Sequence, residues 1–229
     1  MCGRFTLSKK AVQLMDELQG FLFDEHIEPR FNVAPTQPVV ALLNDQSGKS
    51  TFLQWGLVPP WADDPKMGSR MINARAETLR EKASFKKPYQ RKRCLIPATG
   101  FYEWQTVPGQ RLKQPQYFSR EDGEAFTLGG LWEEWHEKEG GLLMTCTIIT
   151  TAANRLVAPI QDRMPAVIRP EHREAWVDPF FDKEDTLDKW IAPYEWTGMK
   201  VHPVGYGVNR VANDEPSLIE QVKTQGELW

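Results

Sequence analysis

Between Arg93 and Thr150 the chain alternates short apolar runs with tight-turn signals, and this pattern limits its possible folds more than any other feature. The runs Arg93 to Ile96, Phe101 to Trp104, Gln116 to Phe118, Ala125 to Leu131 and Leu142 to Thr150 are separated by Pro97-Ala98-Thr99-Gly100 and then by Pro-Gly, Asp-Gly and Gly-Gly pairs. Such pairs supply the positive φ that reverses a strand on its neighbour, so the middle of the chain reads as antiparallel sheet. Upstream, Val39 to Leu43 and Thr51 to Leu57 flank Asn44-Asp45-Gln46-Ser47-Gly48 as the arms of a hairpin, and Ala166 to Ile168 adds one more strand. Helical spacing is confined to the ends. Ala11, Leu14, Met15, Leu18 and Leu22 form one apolar stripe behind Ser8 as N-cap. Pro170 to Val177 and Asp182 to Ile191 carry helix-start signals, with Trp176 and Trp190 as anchors. The fold class is therefore α+β. The segment from Pro59 to Gly68 has no periodicity and reads as a long loop, a length that compact domains keep for function.

A 229-residue chain with 41% hydrophobic residues can fill one sizeable core, so residues 1–229 are expected to form a single domain, and a monomer. No apolar run is long enough to span a bilayer, and Met1-Cys2-Gly3-Arg4-Phe5 lacks the apolar stretch of a secretory signal, so a cytoplasmic protein is expected. The three cysteines, Cys2, Cys94 and Cys146, are odd in number and widely spaced, which argues against a disulfide framework; Cys94 and Cys146 lie in apolar runs and read as buried small hydrophobes. No metal-ligand spacing and no cofactor motif is present. The net charge of -3 makes no general case for a polyanion. Its distribution is uneven: Lys66 to Arg93 holds ten basic residues against two acidic ones, a local excess of +8. Either a positive surface or a solvated helix face fits that segment.

Cys2 carries the most distinctive chemistry. Removal of Met1 before a small side chain leaves one residue with a free α-amine and a thiol, groups that titrate at about 8 and about 8.5 in model peptides. An aldehyde can react with both. The amine forms a Schiff base, the thiolate adds to the imine carbon, and a thiazolidine ring closes without recruiting a second molecule. On position alone, an incidental second residue remains open.

The segments Cys2-Gly3-Arg4-Phe5, Asn32-Val33-Ala34-Pro35, Trp55-Gly56-Leu57, Asn73-Ala74-Arg75-Ala76-Glu77, Gly100-Phe101-Tyr102-Glu103-Trp104 and Asp162-Arg163-Met164-Pro165 occur in that order. Together they resemble the SOS-response-associated peptidase (SRAP) family over most of the chain. The resemblance implies a curved, barrel-like, largely antiparallel β core flanked by helices. It also implies a cleft that binds single-stranded DNA and crosslinks covalently to abasic sites through Cys2 in the DNA-damage response. Asn73 and Glu103 match family residues beside the N-terminal cysteine, the glutamate as a proton shuttle. Arg4, Arg75 and Arg163 match phosphate contacts, and Trp61 matches an aromatic that stacks on bases. On their residue types alone, Asn73 could cap a turn, Glu103 sit exposed on a strand, and the arginines enter ion pairs with Glu77 or Asp162. One position departs from the family pattern: Gln161 stands where the family's active-site histidine is implied, and an amide cannot take up a proton near neutrality. Lyase activity, and peptidase activity with Cys2 as an N-terminal nucleophile freed by self-processing, are the other activities the resemblance implies.

Overall fold

The structure is a computed structural model that describes residues 2–138 and 140–223. In chain order the elements are β1 (Phe5–Leu7), α1 (Ala11–Glu17), β2 (Arg30–Val33), β3 (Pro38–Leu43), β4 (Ser50–Trp55), β5 (Asn73–Arg75) and α2 (Ala83–Arg91). There follow β6 (Arg93–Ala98), β7 (Gly100–Gln105), β8 (Gln114–Arg120), β9 (Phe126–His136), β10 (Leu142–Ala152), β11 (Arg163–Pro165) and β12 (Val167–Ile168). The last elements are α3 (Arg173–Trp176), α4 (Glu184–Trp190) and β13 (Met199–Pro203).

Five of these strands close on themselves. β10 pairs β4, β4 pairs β3, β3 pairs β6, β6 pairs β9, and β9 returns to β10. The inner face of this small ring combines small residues, Ala41, Cys94, Gly130 and Cys146, with larger ones such as Trp55, Ile96 and Leu128. At Gly130 an added Cβ would lie 2.8 Å from Cys94 Sγ, so even alanine would collide there. The alternate residues Val40, Leu42, Leu95, Leu131 and Ile149 face outward and are buried under the helices, with Leu14, Phe85, Trp176 and Leu187. On β4 no helix covers the outer face, and Phe52 is 48% exposed. A second sheet, in the order β13-β8-β7-β1-β2, extends the inner core through Phe5, Phe101 and Phe118. The α+β class and the barrel-like core are thus as the sequence indicated.

Several local expectations need correction. Helix α1 is capped at Lys10; the Ser8 hydroxyl instead bonds Thr99 Oγ1 at 3.0 Å. The helix lasts seven residues, so Met15 is exposed and Leu22 lies beyond it in an extended bridge to Lys49. Helix α4 begins after Lys183, not Asp182, and Pro170 to Val177 divides into a 3-10 turn and the single turn α3. The loop from Pro59 ends in a 3-10 helix, Pro65–Arg70, started by Asp64 accepting from the Lys66 amide at 2.8 Å. β10 pairs in parallel with β4 and β5, contacts that no local turn signal announces. Among the described residues no helix is long and apolar enough to cross a membrane.

Candidate functional site

Cys2 lies just before β1, whose antiparallel register on β7 sets Phe5 opposite Phe101, and the Tyr102 amide donates to the Arg4 carbonyl at 3.0 Å. Two steps further along the same register the chain start runs beside Glu103. The Cys2 side chain is fully buried in the inner core. Burial pushes its thiol well above the ordinary range, and the Glu103 charge adds to the shift. With Met1 still attached, the Cys2 thiol is thus biased toward its protonated form.

Glu103 is buried too, not an exposed strand residue, and burial raises its carboxyl above the usual range. Gln161 donates from Nε2 to Glu103 Oε2 at 3.3 Å, which favours the ionised form and opposes that shift. The segment after β10 forms a helical turn, with Gln161 N donating to the Val157 carbonyl at 3.0 Å and Ala153 N to the Asp162 carbonyl at 3.0 Å. This closed loop is what delivers Gln161 to Glu103. Asn73 opens β5 opposite Ile148, its Nδ2 donating to the Ile72 carbonyl at 3.0 Å. Its Oδ1 is buried with no hydrogen-bond partner among the described residues. Ile72 and Ile160, the neighbours of Asn73 and Gln161, both pack on the inner core that holds Cys2. Glu103 thus lies near enough to act on the Cys2 thiol and is bonded by Gln161, and Asn73 stands at the rim of the same core.

The four candidate DNA contacts divide. Trp61 is 60% exposed while the next residue is anchored, the Ala62 carbonyl accepting from Trp135 Nε1 at 2.7 Å. Arg75 is exposed, on the same face of β5 as Asn73, and makes no ion pair among the described residues. Arg4 is engaged: Nη1 donates to Asn32 Oδ1 and to the Val208 carbonyl, each at 2.7 Å, and the guanidinium lies 5.8 Å from the Trp104 ring centroid. Arg163 holds Glu77 through two bonds of 2.8 and 2.9 Å and donates to the Thr150 carbonyl at 2.6 Å. For Arg163 the ion pair with Glu77 is the arrangement present.

The basic excess of Lys66 to Arg93 is not one patch. Arg93 is buried, Arg80 pairs with Glu184, Asp185 and Asp188, and Lys92 pairs with Glu133 and Glu134. Lys86, Lys87 and Arg91 belong to α2, which packs on the outer wall of the ring, away from the inner core of Cys2. Periodicity could not anticipate Asn32. It is fully buried, and its Nδ2 reaches the Val208, Arg210 and Asn213 carbonyls while its oxygen receives Arg4. Its place in the Asn32-Val33-Ala34-Pro35 segment was the one available signal.

A family model described as SOS response associated peptidase (SRAP) matches residues 1–211, which include all eight candidate positions. The chain belongs to the SRAP family. Among similar SRAP relatives is the abasic site processing protein YoqW of Bacillus subtilis, 42% identical over 96% of this chain and 99% of its own. The abasic site processing protein HMCES of Gallus gallus is 32% identical over 97% of this chain and 78% of its own. A crystal structure of a protein from Bacteroides thetaiotaomicron superposes with a TM-score of 0.86 at 25% identity, covering 97% of this chain and all of that one.

Proposed function

We propose that this SRAP protein captures abasic sites in single-stranded DNA covalently, through the amine and thiol of Cys2 once Met1 is removed. The supporting observation is the closeness of Cys2 to a buried Glu103, whose carboxyl burial raises above the usual range and which Gln161 holds. The names of the relatives, abasic site processing proteins, agree with it.

The ring-opened sugar presents an aldehyde. The Cys2 amine adds to its carbon, Glu103 as acid protonates the departing hydroxyl, and water leaves to give the imine. The Cys2 sulfur then bonds that carbon, and its proton passes through Glu103 to the nitrogen, closing a thiazolidine. The adduct weighs the sum of protein and DNA less one water. A thiol that arrives protonated needs such a relay, because only the thiolate is a good nucleophile. Asn73 offers its buried amide oxygen to a sugar hydroxyl. Trp61 and Arg75, the exposed members of the set, hold the strand by stacking and by charge; Arg4 acts as a further phosphate contact, and Arg163 becomes one where Glu77 releases it.

The test is incubation with an abasic-site oligonucleotide, followed by denaturing electrophoresis and intact mass. Wild type yields a heat-stable adduct, Cys2→Ala none, and Cys2→Ser an adduct only after borohydride reduction, since an imine forms but no thiazolidine. An undiminished adduct from Cys2→Ala, or an adduct on protein that retains Met1, would sink the proposal. Cleavage of peptides by wild type without adduct formation would point to the peptidase activity of the family name instead.

A further inference from the structure

Arg93 and Arg173 are both buried, and the protein treats them differently. Arg93 spends its whole guanidinium on carbonyls: Nε on Trp176, Nη1 on Tyr89 and Gln90, Nη2 on Asp178 and Phe181, at 2.8 to 3.1 Å. That is a satisfied structural cation. Arg173, on α3, is 8% exposed, yet its guanidinium makes a single hydrogen bond among the described residues, from Nε to Thr127 Oγ1 at 3.3 Å. That hydroxyl already donates to the Ile168 carbonyl. Arg173 enters no ion pair among the described residues. Glu171 and Glu124 act on it at a distance but are bound to Arg169 at 3.4 Å and Arg120 at 3.2 Å. Burial first, then the Arg120 charge, lowers its pKa to about 10, so it remains a cation at neutral pH. The terminal nitrogens of Arg173 are not among the buried unpartnered atoms, so they open to solvent and are free to meet a ligand.

Arg173 lines a cavity of about 100 Å³, several times what one water needs. Arg120, Arg169 and Glu171 line it as well, the Glu171 carboxylate being paired with Arg169 at 3.4 Å, and Tyr194 and Trp196 form part of the wall. Each flanking guanidinium lies against a ring, Arg120 at 5.9 Å from the Trp196 centroid and Arg169 at 5.3 Å from that of Tyr194, which fixes its position. Asp122 and Glu124 neutralise Arg120 from outside, while Glu171 and His172 engage Arg169. On its other side Arg173 borders a depression with Glu17 and Glu174, neither within ion-pairing distance. The cavity is remote from Cys2: in the β7–β8 register Glu103 faces Gln116, whereas Arg120 lies beyond the Gly100–Ser119 pair at the opposite end.

We propose that this cavity is an oxyanion site whose ligand is a phosphate group, with Arg173 supplying the charge and Arg120 and Arg169 flanking it. A guanidinium fork matches phosphate oxygens bidentately, and the terminal nitrogens of Arg173 have no other hydrogen-bond partner among the described residues. The site stands independently of the reading of Cys2. The phosphate belongs either to a small phosphorylated molecule or to a DNA end.

The experiment compares the full chain with Arg173→Met by calorimetric titration with inorganic phosphate and by thermal melts in phosphate against chloride of equal ionic strength. Wild type binds phosphate and melts higher in it; the variant loses at least tenfold in affinity. Without phosphate the variant is about as stable as wild type, because the terminal nitrogens it removes hold no described protein group. Three results overturn the proposal: a wild type that responds to phosphate no more than to chloride, a variant that responds like wild type, or a variant that is less stable or fails to fold without phosphate, which makes Arg173 structural. A 5′-phosphorylated oligonucleotide without an abasic site, set against its 5′-hydroxyl counterpart, separates the sources. Preference for the phosphorylated end that Arg173→Met abolishes assigns a DNA terminus; equal binding, with inorganic phosphate still bound, assigns a small molecule.

Discussion

Replacing Gln161 by histidine tests the proton chemistry of the site most directly. The amide sits 3.3 Å from Glu103 Oε2, longer than an ordinary hydrogen bond, and it cannot change charge. An imidazole there has an ordinary pKa of about 6.5 and faces a buried carboxylate. A hydrogen bond to a charged partner contributes about 1.5–3 kcal/mol against about 0.5–1.5 kcal/mol for a neutral one, a gain of about 1 kcal/mol. This raises the histidine above its ordinary value and lowers Glu103, since one coupling acts on both groups. The imidazole, its folded value raised, contributes stability that is complete below about 6.5 and lost as pH rises through about 7. Glu103 must be ionised for the pair to exist, so the gain also fades on the acid side as Glu103 takes its proton. Melting temperature as a function of pH should therefore show a maximum in Gln161→His that wild type lacks. Single-turnover rates on an abasic oligonucleotide should show adduct formation and adduct release both faster in the variant, with an added titration near pH 7. Superimposable melting curves together with identical forward and reverse rates would refute the reasoning.

Trp61→Ala should weaken single-strand binding by about 1–3 kcal/mol in a fluorescence titration. Because Trp61 is 60% exposed, its melting curve should not move. Glu77→Gln releases the Arg163 fork, so the slope of log affinity against log salt should steepen by about 0.7, one further phosphate contact; an unchanged slope would mean that Arg163 stays bound to the protein. Arg93→Met strands five carbonyl groups and should cost at least about 3 kcal/mol in urea denaturation, which is what two of its five charged hydrogen bonds would contribute. A loss below about 1 kcal/mol would show that those carbonyls find other partners.

The antiparallel middle of the chain and its α+β class were legible in order, because glycine and proline at tight turns act within a few residues, a range that inspection covers. The hairpin of β3 and β4 shows this, and so does the burial of Cys94 and Cys146 in apolar runs. Cys2 was legible as chemistry, since an amine and a thiol on one residue need no fold to define them. Only the tertiary structure decided the rest. Closure of the ring through the parallel β10–β4 pair joins residues some ninety positions apart. Such pairing depends on which strands run side by side, and turn residues do not encode it. The same holds for charge: Lys66 to Arg93 is one block along the chain, yet folding buries Arg93, pairs Arg80 and Lys92, turns α2 to the outer wall and leaves Arg75 exposed beside Asn73. The upward shifts at Cys2 and Glu103 belong to this second class as well, because desolvation is a property of surroundings assembled from distant strands.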